Sequence, residues 1–511
     1  MFKKHEILLN DYSNKWLAFI GIALLSFGCY LDYTVVNIAL PTIQQELQTN
    51  LTSLQWVMNI YFLALCILAT IMGRLGDLYG RRRCFYIGAG IFAVASVVAG
   101  FSPNIDGLIF GRLLQGIGAA IVFPLGPSLL PQAFPEKERR KAIAWLGSMG
   151  GIALALGPVL GGFIVTYWGW RWIFFINIPI ILLGYLFCFK SIKESIIEKQ
   201  KLQLDWKGML LLAFAMGGVV LSLIHSQIFG WHNSMTLIYL AIGVVASILL
   251  IKFERRLENP LIDFRDFSNL LFYAGAILCF LAGVLSAVAL FFDPLYLQII
   301  RNQSPEVSGL FLFAIPVAVF AVAFFIEWLI SWLGILNTIF LGLLLAFIAA
   351  LLQIFFTSTT PFWYVVTAFI CLGSVWAMGN TVPIIAAQAA VDPARMSVAT
   401  GTMITMFNIG GSIGLAMAVV IYHVVTSRSL TQNFQAHQTQ FSVDQFSYVG
   451  KLISNPAHSL QVSMSGLMHA FFNEIFIRGF SGVMCFLLMF SSLLLLSVLI
   501  WKILDVSNKQ H

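Results

Sequence analysis

Two residues of opposite charge lie within long apolar stretches of the chain: Asp32, in residues 16–40, and Arg112, in residues 105–130. Charged side chains are costly in the hydrocarbon of a membrane, so they are functional candidates by default. If both stretches cross a membrane as helices, a rise of 1.5 Å per residue places both charges roughly 12–14 Å from one membrane surface. Asp32 and Arg112 could then pair, either as a static ion pair or as a site at which Asp32 exchanges a proton.

Two further acidic residues occur in or beside apolar stretches. Glu327 lies near one end of residues 306–330. It is a third candidate for proton coupling, although its side chain could also reach the membrane surface. Asp293 follows directly after residues 269–292, and we expect it at the membrane interface.

The elements that must position these residues are membrane-spanning helices, each of which needs roughly 20 mostly apolar residues. Hydrophobic residues make up 59% of the chain and charged residues 10%, a balance that a water-soluble fold could not bury. We therefore predict an all-α membrane protein of fourteen transmembrane helices. The stretches are approximately 16–40, 53–73, 84–101, 105–130, 142–168, 172–190, 208–228, 235–253, 269–292, 306–330, 335–356, 362–384, 398–424 and 479–501.

The distribution of Lys and Arg orients these helices. With fourteen spans, 23 of the 29 Lys and Arg residues fall on the side of the N-terminus, five fall on the opposite side, and Arg112 lies within a span. Cytoplasmic loops carry the excess of these residues in membrane proteins, so both termini are predicted to be cytoplasmic. Short basic loops explain the net charge of +7, and we expect no nucleic-acid partner.

Two longer polar stretches divide the chain into parts. We predict an N-terminal six-helix bundle in residues 1–191, a cytoplasmic linker with a central helix pair in 192–254, and a C-terminal six-helix bundle in 255–511. The last bundle includes a polar extracytoplasmic segment at about 426–478. This 6+2+6 layout suggests an internal repeat, which the two halves do not show clearly in sequence.

The sequence contains no pattern typical of a metal site or of nucleotide hydrolysis. Its seven cysteines are scattered without a CxxC pair, and neither HExxH nor GxxxxGK[ST] occurs. We therefore expect no enzyme activity and no cofactor. Energy for any transport would come from an ion gradient or from a partner, and the expected ligands are the lipid bilayer, small-molecule substrates and protons.

A glycine-flanked basic loop follows the second span, with Gly73, Asp77, Gly80, Arg81 and Arg82. Glycines let two helix ends turn sharply and approach closely, and an aspartate beside arginines can form ion pairs at a helix terminus. The pattern predicts either a loop whose ion pairs close a cytoplasmic gate or a basic loop that only sets topology.

The fifth span contains a cluster of Gly157, Pro158, Gly161 and Gly162. The proline removes a backbone donor and bends the helix, and the glycines allow neighbouring helices to pack closely in lipid. An ordinary packing kink is the alternative to a functional hinge.

Several of these motifs resemble the major facilitator superfamily, and in particular its fourteen-helix drug:proton antiporters. The matching segments are the loop at 73–83, the first span at 31–41, the fourth span at 112–118, the fifth span at 157–162 and the entry to the sixth span at 170–179. The chain departs from the family pattern at Leu78, where a basic residue usually follows the aspartate, and at Phe407, where many relatives carry arginine. It also lacks a basic residue at 327–334, where a second gate loop is expected.

The resemblance implies a multi-pass protein of the bacterial inner membrane that exports amphipathic or cationic lipophilic compounds by proton antiport. It implies two six-helix bundles that alternate access to a central cavity, and relatives in double-membrane bacteria often use a periplasmic adaptor protein. Two alternatives remain open. One is a dedicated exporter of a single metabolite, such as a siderophore or a lipid precursor. The other is a receptor or assembly platform that has lost transport.

Overall fold

The computed structural model describes residues 14–192, 205–257, 260, 262, 264–391, 396–436, 443–454, 456 and 466–510. Within these ranges the regular structure is helical throughout, which confirms the predicted fold class. The helices of the first half are α1 (Lys15–Glu46), α2 (Leu51–Tyr79), α3 (Arg81–Gly100), α4 (Ile105–Ala133), α5 (Glu136–Trp168), α6 (Trp172–Phe175) and α7 (Asn177–Ser191). The central pair is α8 (Trp206–Phe229) and α9 (Ser234–Glu254). The second half contains α10 (Leu270–Leu295), α11 (Pro305–Leu312), α12 (Ala314–Leu333), α13 (Ile335–Ile354), α14 (Phe362–Ala390), α15 (Met396–Ala436), α16 (Val443–Ser454) and α17 (Gly466–Gln510).

Thirteen helical segments of the described chain are long and apolar enough to cross a membrane. Helix α5 takes the place of the predicted fifth span: it has 33 residues, of which Leu156–Trp168 form its apolar part. The order of the elements therefore follows the predicted order of fourteen spans. We call the end of the bundle at which α1 finishes the outer end, following the orientation predicted from the sequence.

Two spans are broken into two helices, and a proline explains each break. A proline ring collides with the carbonyl four residues earlier in a helix. Pro179 accordingly follows the end of α6 at Phe175, and Pro316 follows the end of α11 at Leu312. In the ninth span, α10 contains Pro294 and continues as a π-helix at Tyr296–Ile300. The ninth span thereby extends beyond the range predicted for it.

The two halves pack by the same pairing of helices. In the first half α1 packs against α5, while α2 and α3 pack against α4. In the second half α10 packs against α15, while α12 and α13 pack against α14. This is the internal repeat that the 6+2+6 layout suggested. The predicted linker falls largely in residues 193–204, outside the described residues.

The central pair α8 and α9 lies beside the boundary between the halves. Gly218 and Gly243 bring the two helices together, since a Cβ added at Gly218 would lie 2.5 Å from the Gly243 nitrogen. Met216 of α8 packs with Leu63 of α2, and Val220 of α8 packs with Ala416 of α15. Helix α8 therefore contacts one helix from each half, while α9 keeps much of its apolar surface exposed, as a lipid-facing helix would.

The polar segment at 426–478 is largely helical where the structure describes it. Helix α15 continues to Ala436 and α17 begins at Gly466, so both helices run beyond the spans predicted from hydropathy. Between them, α16 packs Val449, Leu452 and Ile453 into the hydrophobic core. Residues 437–442, 455 and 457–465 lie outside the described residues.

Candidate functional site

Asp32 lies at the centre of a buried hydrogen-bond network formed by α1, α3, α4 and α7. Its Oδ2 atom accepts a hydrogen bond from Arg112 Nη1 at 2.5 Å. Its Oδ1 atom accepts hydrogen bonds from Gln115 Nε2 and Asn177 Nδ2, both at 3.0 Å. Gln115 Nε2 also donates to Ser96 Oγ at 2.9 Å. The structure thus brings together the two charges that the sequence placed at one depth.

Arg112 is held from three further directions. Its Nε donates to the Val57 carbonyl oxygen at 3.0 Å, and its Nη1 donates to Gln115 Oε1 at 2.9 Å. The guanidinium lies over the Tyr61 ring, 4.3 Å from the ring centroid, a favourable placement for a cation. These contacts fix the guanidinium whether or not Asp32 carries a charge.

The network is closed to solvent in this conformation, because Asp32, Arg112, Gln115 and Asn177 are each at most 1% exposed. A buried ion pair is tolerated only where the remaining polar atoms are satisfied, and removal of one partner strands a charge in a medium of low polarity. Protonation of Asp32 would neutralise the acid and leave Arg112 as a buried cation. The charge of the site therefore depends on one proton.

Gln115 and Asn177 lie within the matching segments 112–118 and 170–179, but the sequence did not single them out as parts of the site. Gln115 could have been found, because it follows Arg112 by three residues and so shares its helix face. Asn177 is the first residue of α7, directly after the break between α6 and α7, where a polar residue in an apolar span is itself a signal.

The glycines of the fifth span lie beside this network. A Cβ added at Gly157 would collide with the Thr34 side chain, and one added at Gly161 would lie 2.9 Å from the Val35 carbonyl oxygen. Helix α5 can approach α1 this closely only because both positions lack a side chain. The residues contacted on α1, Thr34 and Val35, follow Asp32 by two and three positions.

The same segment of α5 also contacts the second half of the molecule. A Cβ added at Gly162 would lie 2.6 Å from the Pro305 carbonyl oxygen, and one added at Gly309 would collide with the Pro158 carbonyl. The cluster predicted from the sequence is therefore a packing surface between α1, α5 and α11.

Further contacts join the halves at the outer end. Gln298 Nε2 donates to the Ile38 carbonyl oxygen at 2.9 Å, and Tyr167 Oη donates to Glu306 Oε2 at 3.5 Å. Together with the α5–α11 contact, these interactions close the outer end of the bundle.

The predicted gate loop is a tight connection between α2 and α3. Gly80 adopts a φ of 103°, which favours glycine, and its N–H donates to the Gly76 carbonyl oxygen at 3.0 Å. Arg81 Nη1 donates to the Ser128 carbonyl oxygen at 3.1 Å, and Arg82 lies over the Tyr86 ring. Gly73 and Asp77 lie in the last turns of α2, and their side-chain surroundings lie outside the described part of the structure.

The two other acids lie elsewhere. Glu327 is exposed on α12, flanked by the exposed side chains of Phe324 and Trp328. It therefore lies on the outside of the helix bundle, away from the interior, and the structure does not bring it to Asp32. Asp293, expected at the interface, is instead completely buried. Among the described residues, no three His, Cys, Asp or Glu side chains form a group that could hold a metal ion.

Comparison with known proteins places the chain in a family. The family model of the Major Facilitator Superfamily matches residues 22–205 and 206–415. The chain is 34% identical over 407 residues to the multidrug resistance protein Stp of Mycobacterium tuberculosis, covering 78% of this chain and 74% of that protein. It is 32% identical over 414 residues to the tetracenomycin C resistance and export protein of Streptomyces glaucescens, covering 80% and 76%.

The fold agrees with this assignment. A bacterial homologue of the human lysosomal transporter Spinster, solved in an inward-facing and unoccupied conformation, superposes with a TM-score of 0.64 over 95% of this chain and 97% of that chain. The sequences are 15% identical, so this likeness concerns the fold alone. The chain is therefore a multi-pass membrane protein of the major facilitator superfamily, in the branch that contains the drug-resistance exporters.

Proposed function

We propose that the protein exports amphipathic or cationic lipophilic compounds from a bacterial cell in exchange for protons, by alternating access between its two halves. The observation that carries this proposal is the buried network of Asp32, Arg112, Gln115 and Asn177. A titratable carboxylate paired with a fixed guanidinium at membrane depth is what a proton-coupled transporter needs. The relatives named for multidrug resistance and for export of tetracenomycin C support the class of substrate.

An aromatic cluster beside the network supports the same class of substrate. The Tyr33 ring, one residue from Asp32, lies with its centroid 5.2 Å from that of Phe62 and 6.1 Å from that of Trp376. Trp376 belongs to α14, so the cluster joins the two halves. Aromatic faces bind lipophilic cations through dispersion and cation–π attraction.

The coupling follows from competition for one negative charge. When Asp32 is ionised, it neutralises Arg112, and the region can accept a cation. When Asp32 takes up a proton, the buried guanidinium remains as the excess charge and repels a cationic substrate. Substrate binding therefore favours release of the proton, and proton binding favours release of the substrate.

The gate loop has a structural part in this cycle. The structure is closed at the outer end, so substrate would enter from the side on which α2 and α3 are joined. We propose that the loop with Gly73, Asp77, Gly80, Arg81 and Arg82 closes that side when the outer end opens, and that both chain termini lie in the cytoplasm.

The direct test is substrate-driven proton release from vesicles that contain the purified protein. A panel should combine lipophilic cations such as ethidium with neutral amphipathic compounds and anionic metabolites. Proton release by several unrelated lipophilic cations would support the proposal. A response to one metabolite alone would favour a dedicated exporter, and the absence of any response would favour a protein that has lost transport.

A further inference from the structure

Asp293 is a buried carboxylate that the proposed cycle does not use. It lies near the outer end of α10 and is 0% exposed. Neither Oδ1 nor Oδ2 has a hydrogen-bond partner among the described residues. Asp32 presents a clear contrast, because it is equally buried but accepts hydrogen bonds from three side chains.

Among the described residues, no Lys, Arg or His side chain forms an ion pair with Asp293. Helix α10 packs against α1, α11, α13, α14, α15 and α17. Near the outer end, the described ion pairs join Arg171 to Glu46 and Arg478 to Glu474, and neither involves Asp293. The other ionisable side chains toward that end of these elements and of the π-helix are Tyr296, Arg301, Glu306, Tyr364, Cys371, Tyr422, His423, Arg428 and His469, of which Arg428 is exposed.

The nearest cation along the chain, Arg301, forms its hydrogen bond with another group. Arg301, at the end of the π-helix, donates to the Thr360 carbonyl oxygen. Because an ionised carboxylate without a partner is strongly disfavoured in an apolar interior, while its neutral acid form is not, the acid form suits this site.

Asp293 also lies beside the contacts that close the outer end. It is followed by Pro294 and by the π-helix, an irregularity that occurs frequently at functional sites. The π-helix is attached at two points: Tyr296 Oη donates to the Thr357 carbonyl oxygen at 2.7 Å, and Gln298 Nε2 donates across the halves to the Ile38 carbonyl oxygen at 2.9 Å.

We propose that Asp293 is a second proton-binding site, which takes a proton from the extracytoplasmic water when the outer end is open and holds that proton while the outer end is closed. The proton moves from water to a carboxylate oxygen, and no other group changes. Closure buries the neutral acid, whereas closure on the ionised form would bury an unpaired charge. The role of Asp293 in the cycle rests on the proposed function, but the presence of its proton does not.

The proton can be detected without any transport assay. A protonated carboxylic acid has a C=O stretching band in the infrared that a carboxylate lacks. In the purified full-length protein at neutral pH, we expect Asp293→Asn to remove one such band. Asp293→Glu should shift that band and not remove it. The matched control is Asp106→Asn, because Asp106 is exposed in the first turn of α4, and this substitution should leave the band unchanged.

If Asp293→Asn leaves every acid band in place, Asp293 is ionised in the folded protein and the inference is wrong. If Asp293→Asn does not fold, the spectrum of wild type is compared with that of Asp293→Glu. Acid bands at the same positions in both would show that Asp293 is ionised and that the inference is wrong.

The effect on closure can be measured by hydrogen–deuterium exchange in residues 296–312. After correction for the chemical exchange rate, wild-type protection should decrease as the pH is raised, because an ionised Asp293 opposes closure. In Asp293→Asn the protection should stay high at every pH. An identical pH dependence in wild type and variant would refute a role in closure. Failure of the drug-export proposal would leave the infrared result intact, so the two ideas can be separated.

Discussion

At the scale of single residues, both carboxylate oxygens of Asp32 accept hydrogen bonds from side chains of neighbouring helices. Its carboxylate is bound by a guanidinium and two side-chain amides, and one of these amides also holds Ser96. Any change in the protonation of Asp32 must therefore be felt by α3, α4 and α7 together. This gives a physical route from one proton to the relative positions of several helices.

The first prediction concerns coupling. Asp32→Asn retains the shape of the side chain and an oxygen that can accept from Arg112, so the protein should remain folded. It should bind lipophilic cations more weakly than wild type, because the charge of Arg112 is no longer balanced. It should lose accumulation of ethidium driven by a pH gradient, down to the level of vesicles without protein. Glu327→Gln is the comparison, because that side chain lies on the outer surface, and it should transport like wild type. Concentrative transport by Asp32→Asn would remove Asp32 from the coupling site.

The second prediction concerns the free energy of the buried pair. Removing one member of a buried ion pair typically costs about 3–5 kcal/mol, whereas replacing both members by apolar residues is often nearly neutral. Arg112→Leu alone should therefore lower the thermal stability of the purified protein strongly, and the double variant Asp32→Leu with Arg112→Leu should recover much of the loss. Asp32→Leu alone completes the comparison. If the loss of stability in the double variant equals the sum of the losses in the two single variants, the pair is not energetically coupled.

The sequence predicted some of this site and missed the rest for identifiable reasons. The depth match of Asp32 and Arg112 follows from the fixed rise of a helix. The exposure of Glu327 does not follow, because α12 is apolar on all sides and its sequence does not show which face is buried. The sequence did not predict the burial of Asp293, because hydropathy ends the span at residue 292, whereas the helix continues through Pro294 into the π-helix.

At the scale of elements, pairs of helices pack closely at glycines, which have no side chain to keep them apart. Val35 of α1 lies against Gly161 of α5, and Val284 of α10 lies against Gly414 of α15. The two contacts correspond under the repeat of helix pairings. By this correspondence the place of Asp32 in the first half is taken by Leu281 in the second half. The proposed coupling residue therefore has no acidic counterpart at this position of the second half, although the two halves pack alike.

The third prediction tests the close approach of α5 to α1. Gly161→Ala would place a Cβ 2.9 Å from the Val35 carbonyl oxygen, and such overpacking typically costs about 1–3 kcal/mol. It should lower both thermal stability and transport rate. Gly217→Ala is the matched control on α8, where an added Cβ meets nothing within 4 Å, and an alanine there should be neutral or slightly stabilising. Equal effects of the two substitutions would contradict the packing argument.

At the scale of the whole molecule, orientation in the membrane determines what the two ends of the bundle do. The fourth prediction places a reporter that is active on only one side of the membrane after Lys199 and another near Gln438. The first should report a cytoplasmic location and the second an extracytoplasmic one, because the excess of Lys and Arg lies on the side of residue 199. Two reporters on the same side would overturn the fourteen-span topology and the assignment of the outer end.

The fifth prediction concerns the segment 426–478 at the outer end. Helices α15 and α17 extend beyond their spans here, and α16 docks between them through Leu452 and its apolar neighbours. We propose that this segment binds a periplasmic adaptor protein in double-membrane bacteria. A partner that only carries substrate onward is not required for transport across a single membrane.

A deletion of residues 437–465 separates these two steps. In vesicles, the shortened protein should still release protons and accumulate ethidium, because the Asp32 network and the α5–α11 contact lie outside the deletion. In cells with two membranes, it should lose resistance to the same compound, because substrate would remain in the periplasm, and it should no longer co-purify with the adaptor. Lys451→Ala, at an exposed position of α16, tests whether a single surface charge contributes. Full resistance in cells that carry the deletion would show that the segment binds no adaptor needed for export.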